Sequence, residues 1–226
     1  MRLVFDDKTI TRELVENKLS SFTIEDVTEI ELRDSVYTLD RAAFSNFPNL
    51  KVIFGGKHVK LIEDECFANC AQFEGFLRNS YFSLPANVIA IGARAFYNTT
   101  LATCGITTKL TDVGIEAFRK SAISDIPQKA CLHVIEDGAF CECNNLTCIV
   151  LDKNVEKVNT TAFYNCSNLR RVVIENEKQL RIELNAFDGI RDGCTFLVPT
   201  STVLVNRSGY CEDKVNIVRK MRQKCE

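Results

Sequence analysis

This sequence lacks a long apolar run, an excess of charge of either sign, and the glycine-rich motifs that bind phosphate. No stretch approaches the roughly 18 apolar residues that a membrane-spanning helix needs. Lys and Arg number 28 against 30 Asp and Glu, so the overall charge gives no case for a nucleic-acid or anionic-membrane partner. Neither G-x-G-x-x-G nor a P-loop occurs, and there are two histidines. We therefore expect no nucleic-acid partner, no membrane insertion, no cofactor and no enzymatic activity.

The cysteines and the first residues favour a reduced, cytoplasmic protein. The 11 cysteines are an odd number, which excludes a fully paired disulfide framework. Several fall at positions that the repeat pattern assigns to the interior, where a free cysteine behaves as a small hydrophobe. The chain begins with one Arg, a three-residue apolar stretch and two Asp, which is not a secretory signal. Five Asn-x-Ser/Thr triplets would suit the alternative of a cell-surface protein, but a repeat rich in these residues generates them by chance. They begin at Asn98, Asn145, Asn159, Asn165 and Asn206.

A repeat dominates what the sequence does contain. A small residue or Cys followed by Phe recurs seven times, at intervals of 22 to 29 residues, and an aliphatic residue stands five places before each Phe. The seven aromatic positions are Phe44, Phe67, Phe96, Phe118, Phe140, Phe163 and Phe187. The aliphatic positions are Leu39, Ile62, Ile91, Val113, Ile135, Val158 and Ile182. Such a period predicts stacked coils that bury one Phe each.

The residues after each Phe predict a short strand. Leu146 and Ile149 represent an L-x-x-I-x-L pattern, whose inward residues would meet those of the next coil at a strand spacing of about 4.8 Å. The Ala-Phe segment is expected to form a short helical turn on the opposite side. One coil buries about five large apolar side chains, worth roughly 10 kcal/mol in total. Ordering each of its residues costs about 1.5 kcal/mol, so a single coil cannot fold and a stack can.

The repeat resembles the BspA-type leucine-rich repeat, and residues 135–151 match that pattern almost throughout. The resemblance covers roughly residues 24–205 and departs at the fourth and fifth copies, where the anchors after Phe are missing or shifted. It implies an α/β repeat solenoid: a right-handed arc with a parallel sheet on the concave face and short strands or helical turns on the convex side. Members of the family occur on bacterial surfaces and in protists and are associated with adhesion and protein binding. They have no shared catalytic residues to carry over.

We expect one solenoid domain over residues 1–226, with about seven repeats over 24–205. Helical spacing in residues 9–20 predicts a helical cap within 1–23, and spacing in 212–225 predicts a cap helix within 206–226. The second coil is six residues too long, and the surplus includes Phe73 and Phe76. These two rings either form an exposed recognition bulge or fold back onto the core.

The concave face is the predicted binding surface for a protein partner of unknown identity. The residues that would point outward between the inward anchors are acidic in the first coil and basic in the last, and they include aromatic groups. Aromatic residues and arginine are enriched at protein interfaces. An ordinary solvated sheet face is the alternative interpretation. A protein-binding scaffold is favoured over a surface or secreted adhesin, and the chain is expected to be a monomer or a weak dimer. The candidate contact residues are Glu29, Glu31, Val52, Phe54, Tyr81, Thr103, Asp125, Val150, Arg170 and Arg171.

One cluster superficially supplies zinc ligands, namely Cys131-x-His133 and Cys141-x-Cys143. Its spacing is not that of a structural zinc site, and Cys143 occupies an inward repeat position. Cys143 and Cys166 should lie one coil apart, so a disulfide is conceivable, but packed thiols are favoured. We expect no metal here.

Overall fold

A computed structural model describes residues 1–78, 80–105, 108–126, 131–210 and 214–220 of the chain, and for Arg78 only the backbone. The chain winds into a parallel-sheet β-solenoid of about nine turns. A regular coil has a strand, a corner, a short second strand and a tight turn that carries the Phe. The strands are β1 Arg2–Phe5, β2 Thr9–Ile10, β3 Glu29–Leu32, β4 Thr38–Leu39, β5 Val52–Gly55, β6 Leu61–Ile62, β7 Gly75–Arg78, β8 Tyr81–Ser83, β9 Ala90–Ile91, β10 Asp112–Val113, β11 Val134–Ile135, β12 Cys148–Leu151, β13 Lys157–Val158, β14 Arg171–Ile174, β15 Gln179–Ile182, β16 Cys194–Pro199, β17 Val203–Asn206 and β18 Val215–Lys220.

The strands form two stacks, one on each of two sides of the solenoid. The first stack holds the sheets β1-β3-β5-β7-β8 and β12-β14-β16-β18, and the second holds β2-β4-β6-β9-β10 and β11-β13-β15-β17. Among the described residues, the first stack has no strand between Ser83 and Cys148, and the second has none between Val113 and Val134. Every described strand pair except β7–β8 is parallel. We call the outward side of the first stack the strand face.

Alternation along each strand decides which side chains reach the core. In β14, Val172 and Ile174 are buried, whereas Arg171 is exposed and Val173 is half-buried. The register places Val172 beside Ile149 on one side and Phe196 on the other. Because side chains on a strand alternate with a period of two, this register keeps one apolar row inside throughout the stack.

A continuous stack of phenylalanine rings runs along the core, as the sequence predicts. Consecutive rings from Phe44 to Phe187 have centroids 5.0–5.5 Å apart and planes within 17° of parallel. Each of the seven rings is at most 1% exposed. Phe5 extends the stack at one end and Phe196 at the other, both with edge-on contacts. The stack also passes through the region where both strand stacks are interrupted.

The prediction of short helical turns at the Phe positions is wrong, because the turns there are not helical. Alternate backbone N–H groups leave the turn and donate to the next coil; the N–H of Arg94, Phe96 and Asn98, for example, donate to carbonyls of Ile115, Ala117 and Arg119 at 2.8–2.9 Å. To aim these donors, the residues two before and two after each Phe adopt positive φ. These residues are Ala42, Asn46, Glu65, Asn69, Arg94, Asn98, Glu116, Lys120, Gly138, Glu142, Thr161, Asn165, Asn185 and Gly189. Their hydrogen bonds tie each coil to the next on the third side of the solenoid.

Thr161 is the β-branched member of this positive-φ set, and its replacement by Asn should stabilise the protein. Its φ is 55°, a conformation that β-branched residues rarely adopt, whereas the equivalent residue of the next coil is Asn185. We expect Thr161→Asn to raise the free energy of unfolding by about 1 kcal/mol in urea denaturation. The neighbouring Thr160→Asn, where φ is not positive, is the control and should change little. Equal effects of both substitutions would contradict this account of the turn.

The α/β character and the two helical caps are not supported. The described chain contains one α-helix, α1 at Arg12–Leu19, and a 3-10 helix at Ile24–Asp26. Helix α1 belongs to the first coil, after β1 and β2. The Arg12 side chain donates to the backbone oxygen of Ser45 at 2.9 Å. In the regular coils, a backbone N–H of the turn makes the equivalent bond. At the other end, residues 215–220 pair along β16 as strand β18 instead of forming a helix. No helix in the described ranges is long and apolar enough to cross a membrane.

The surplus in the second coil forms a hairpin and not a bulge of aromatic rings. Strands β7 and β8 pair antiparallel, and Phe73 and Phe76 are 0% and 2% exposed. Both rings contact Phe67, so they have folded back onto the core. Tyr81, which is 76% exposed, is the aromatic residue that the hairpin presents to solvent.

Candidate partner-binding surface

The structure distributes the ten candidate residues over three parts of the strand face. Six are outward or edge positions of regular strands: Glu29, Glu31, Val52, Phe54, Val150 and Arg171. Arg170 directly precedes β14, and Tyr81 lies on the hairpin strand β8. Thr103 and Asp125 lie where the strand stacks are interrupted. The candidates therefore share one side of the solenoid but do not form one continuous patch.

The N-terminal half of the strand face is engaged in contacts within the chain. Glu31 accepts ion pairs from Arg2 at 2.6 Å and from Arg33 at 2.8 Å. The Arg2 guanidinium also lies 4.2 Å from the centre of the Phe54 ring, a cation–π contact. A partner that used Glu31 or Phe54 would have to displace these contacts.

Thr103 and Asp125 hold two coils together where strand pairing is absent. The Thr103 hydroxyl donates to Asp125 Oδ2 at 2.9 Å, and the backbone N–H of Cys104 donates to Asp125 Oδ1 at 2.9 Å. Both oxygens of the carboxylate thus have partners within the chain. These side-chain bonds join the two coils alongside the backbone bonds that Ala122 and Ser124 donate to Thr99 and Ala102.

The C-terminal half presents an apolar row beside unpaired cations. The register places Val150, Val173, Leu197 and Val218 side by side on four neighbouring strands, all pointing outward. The first three are half-buried, and Val218 is 42% exposed. Arg170 and Arg171 are exposed, and neither side chain has a hydrogen bond or an ion pair in the described part of the chain.

A groove of about 460 Å³ continues the apolar row toward the carboxyl ends of β14 and β16. Its floor is apolar, with Val173, Leu197 and Pro199 among the lining residues. The charged lining residues are Glu175, Glu177 and Lys220. Its size suits one or two apolar side chains of another molecule. Together with the row, it makes this half of the face suitable for binding an extended segment.

A larger groove of about 1040 Å³ lies around the corner between the two strand stacks. Cations and carboxylates are mixed in its lining, among them His133, Lys157, Glu156 and Arg181. None of the cysteines that the structure describes lines it. Its mixed charges do not select for a ligand of either sign.

The buried cysteines are packed thiols that hydrogen-bond between coils. The Sγ of Cys70, Cys143 and Cys166 donates to the backbone oxygens of Phe44, Phe118 and Phe140 at 2.9, 3.0 and 3.1 Å. The nine cysteines in the described ranges are free, and no three potential ligands there come close enough to hold a metal ion. Burial raises the pKa of the Cys70 and Cys143 thiols to about 12 and raises that of Cys166 as well.

These raised pKa values predict a loss of stability at alkaline pH. An unfolded chain releases the thiol protons near the ordinary pKa of 9.0, whereas the folded chain holds those of Cys70 and Cys143 until about 12. The stabilisation is therefore complete below pH 9 and is lost as the pH rises from there toward 12. We expect the Tm of the wild-type protein to fall steeply between pH 9 and 11. The fall should be smaller in Cys70→Ala, which lacks one of the buried thiols. It should be as large as in wild type in the control Cys131→Ser, because the Cys131 thiol is exposed. A Tm that falls no less in Cys70→Ala would contradict the assignment.

Sequence reasoning missed Leu197 and Val218. The spacing of residues 212–225 predicts a helix, which would remove Val218 from any strand face. In β16, the alternation of buried Cys194, Phe196 and Val198 was a usable signal that the intervening Leu197 points outward. The complete apolar row becomes visible only when four strands are set in register.

The family comparison matches most of the chain. A family model described as the BspA type leucine rich repeat region matches residues 6–74 and 71–192, in six copies. No curated protein matches.

Among solved structures, a leucine-rich repeat protein from Bacteroides ovatus shares 21% sequence identity at a TM-score of 0.65. The match covers 86% of this chain and 52% of that protein, so this chain spans about half its length. A leucine rich cell surface protein from Faecalibacterium prausnitzii (18% identity, TM-score 0.32) covers 98% of this chain and 88% of its own. A leucine-rich repeat protein from Eubacterium ventriosum (13%, TM-score 0.28) covers 94% and 89%. The Bacteroides protein shows the shared fold, and none of the three is named as an enzyme.

Proposed function

Because this chain belongs to the BspA-type leucine-rich-repeat family, we propose that it is a non-catalytic scaffold that binds a partner protein through the strand face. The observation that carries the proposal is the juxtaposition of an outward apolar row with Arg170 and Arg171, whose side chains are unpaired among the described residues. Apolar groups beside arginine are typical of protein interfaces. The strand face is proposed to be the concave side of the arc, where a partner could contact several coils at once.

The turn side of the solenoid supports this choice by contrast, because several of its polar side chains bond to one another. Asn46, Asn69 and Asn98 form a ladder of side-chain hydrogen bonds at 3.1 and 3.2 Å. Further along, Arg119 donates to Glu142 at 2.8 Å. Surface groups that already satisfy one another gain little from a partner.

Affinity purification with matched variants tests the proposal. The wild-type chain, Tyr81→Ala, Arg170→Glu and the control Lys8→Glu would be used as baits in an extract of the native cell, with retained proteins quantified by mass spectrometry. Lys8 is exposed and lies in the corner between β1 and β2, away from the strand face. We expect a protein that wild type and Lys8→Glu retain equally and that at least one strand-face variant loses. Retention unchanged by both Tyr81→Ala and Arg170→Glu, with unchanged Tm values, would overturn the proposal.

The same reasoning leads us to propose a cytoplasmic location, since the thiols of Cys70, Cys143 and Cys166 are packed as hydrogen-bond donors. An adhesin that binds host or matrix components would instead be found at the surface or outside the cell. Cell fractionation with a count of free thiols separates the two. Reduced, glycan-free protein in the soluble fraction supports the scaffold, and oxidised or glycosylated protein at the surface supports the adhesin.

A further inference from the structure

We infer that the C-terminal half of the strand face takes an extended, acidic segment of a partner protein whose apolar side chains lie along Val150, Val173, Leu197 and Val218. This inference rests on the proposed function and specifies which half of the face is used and what chemistry it selects.

The two halves of the face differ in whether their charged side chains already form ion pairs within the described chain. In the N-terminal half, the Glu31 carboxylate is held by both Arg2 and Arg33 at less than 3 Å. In the C-terminal half, Arg170 and Arg171 have no such partner within the described residues, and no carboxylate stands opposite Arg171 on the adjoining strands, where its neighbours are Cys148 and Thr195. An exposed guanidinium is a ready site for a carboxylate, often with two parallel hydrogen bonds.

The geometry of the row fits a segment that crosses the strands. Four strands at a spacing of about 4.8 Å give a row about 14 Å long, which matches four or five residues of extended chain. The row that contains Arg171 runs parallel to the apolar row, two residues earlier on each strand. An extended segment with alternating apolar and acidic side chains can therefore place one set on the apolar row and the other beside Arg170 and Arg171.

The groove gives this segment a preferred position. It opens beside Val173 and Leu197, and its apolar floor can accept a bulky side chain that the flat row cannot enclose. Glu175, Glu177 and Lys220 all line the same groove, so its margin carries both signs of charge, with carboxylates in excess. The acidic groups of the segment therefore belong at the Arg170 and Arg171 side, away from these carboxylates.

Fluorescence anisotropy with a designed probe tests the inference. The probe is a fluorescein-labelled ten-residue peptide that alternates glutamate and leucine, and the control probes alternate lysine with leucine and glutamate with serine. We expect the glutamate–leucine probe to bind with a Kd below 1 mM and at least tenfold more tightly than either control probe. Raising the salt concentration should weaken it, since exposed charge pairs are screened.

Matched protein variants locate the site. Arg171→Glu and Leu197→Ser should each weaken the probe at least tenfold, and Arg171→Glu should improve binding of the lysine–leucine probe. Lys8→Glu, with the same charge change, and Val52→Ser, an outward half-buried residue of the other half, should change the Kd less than twofold. Circular dichroism and Tm values confirm that each variant is folded.

Four outcomes overturn the inference. These are no binding of the glutamate–leucine probe at 1 mM, equal binding of the lysine–leucine probe, indifference to both Arg171→Glu and Leu197→Ser, and a dimer by light scattering that Leu197→Ser dissociates, which would make a second copy the occupant. If a retained partner is lost by Tyr81→Ala or Val52→Ser but not by Leu197→Ser, the scaffold function stands and this inference alone fails. If no strand-face variant affects any partner, the scaffold proposal fails as well.

Discussion

Replacing Phe118 by Ala should lower the free energy of unfolding by about 3–5 kcal/mol, because it removes a ring from the middle of the stack and leaves a cavity. Phe118 is 0% exposed, and its ring centre lies 5.4 Å from those of both Phe96 and Phe140. It also lies where both strand stacks are interrupted, so the ring stack and the turn hydrogen bonds join the two halves there. Urea denaturation followed by circular dichroism measures the change.

Phe22→Ala is the matched control, since it makes the same truncation at a ring that is 53% exposed. It should cost less than about 1 kcal/mol, because little apolar area is lost from the interior. If the two substitutions destabilise the protein equally, the ring stack is not the source of the stability that we assign to it.

The second large effect is expected for Gly92→Ala, which should destabilise the protein by about 2–3 kcal/mol through overpacking. Gly92 stands four residues before Phe96, and the backbone of the preceding coil passes directly over it. A Cβ at this position would meet the backbone N of Asp64 and lie 2.6 Å from the carbonyl carbon of Glu63. Since these are backbone atoms, relief requires the two coils to move apart.

Glu63→Ala is the control for this prediction, because Glu63 occupies the same position four residues before Phe67. Its backbone already accommodates a Cβ, so truncation to Ala should change the free energy of unfolding by less than about 1 kcal/mol. Thermal denaturation of both variants measures the difference. A Gly92→Ala variant as stable as Glu63→Ala would show that the coils are not as closely packed at this point as the structure indicates.

The coils and their core could be predicted because their signal repeats. Each Phe and the aliphatic residue five places before it lie in the interior, and the family model and the Bacteroides structure agree with the solenoid. The conformation of the turns could not be predicted, because positive φ falls on residues such as Glu116 and Lys120 as well as on Asn and Gly. There the hydrogen bonds between coils override the local preference of the residue.

The sequence predicts a helix where the structure has strand β18, because the local spacing of apolar residues is ambiguous over this segment. Val215 and Val218 suit one face of a helix, but Val215 and Ile217 also alternate as in a strand. Strand β16 offers a six-residue edge, from Cys194 to Pro199, and pairing with that edge decides the outcome. A tertiary contact of this kind is not visible in a single segment.

The sequence predicts which side of the solenoid carries the candidate surface, but it does not predict which of the charged residues on that side remain available to a partner. Which charges remain available depends on pairs that are far apart in sequence, such as Arg2 with Glu31. The same holds for Asp125, whose carboxylate bonds to Thr103 in the preceding coil. Arg170 and Arg171 remain candidates because no described residue distant in sequence pairs with their side chains, and Val150 remains one because it points outward beside Val173.

Hydrogen exchange at three backbone amides tests the central claim most directly. The N–H groups of Phe96, Phe118 and Phe140 donate to the next coil at 2.8–2.9 Å and cross the region where the strand stacks are interrupted. If the phenylalanine coils form one continuous solenoid, these three amides should exchange only through global unfolding, with protection equal to the free energy of unfolding. Exchange of these amides at the rate of an unstructured peptide would contradict the account.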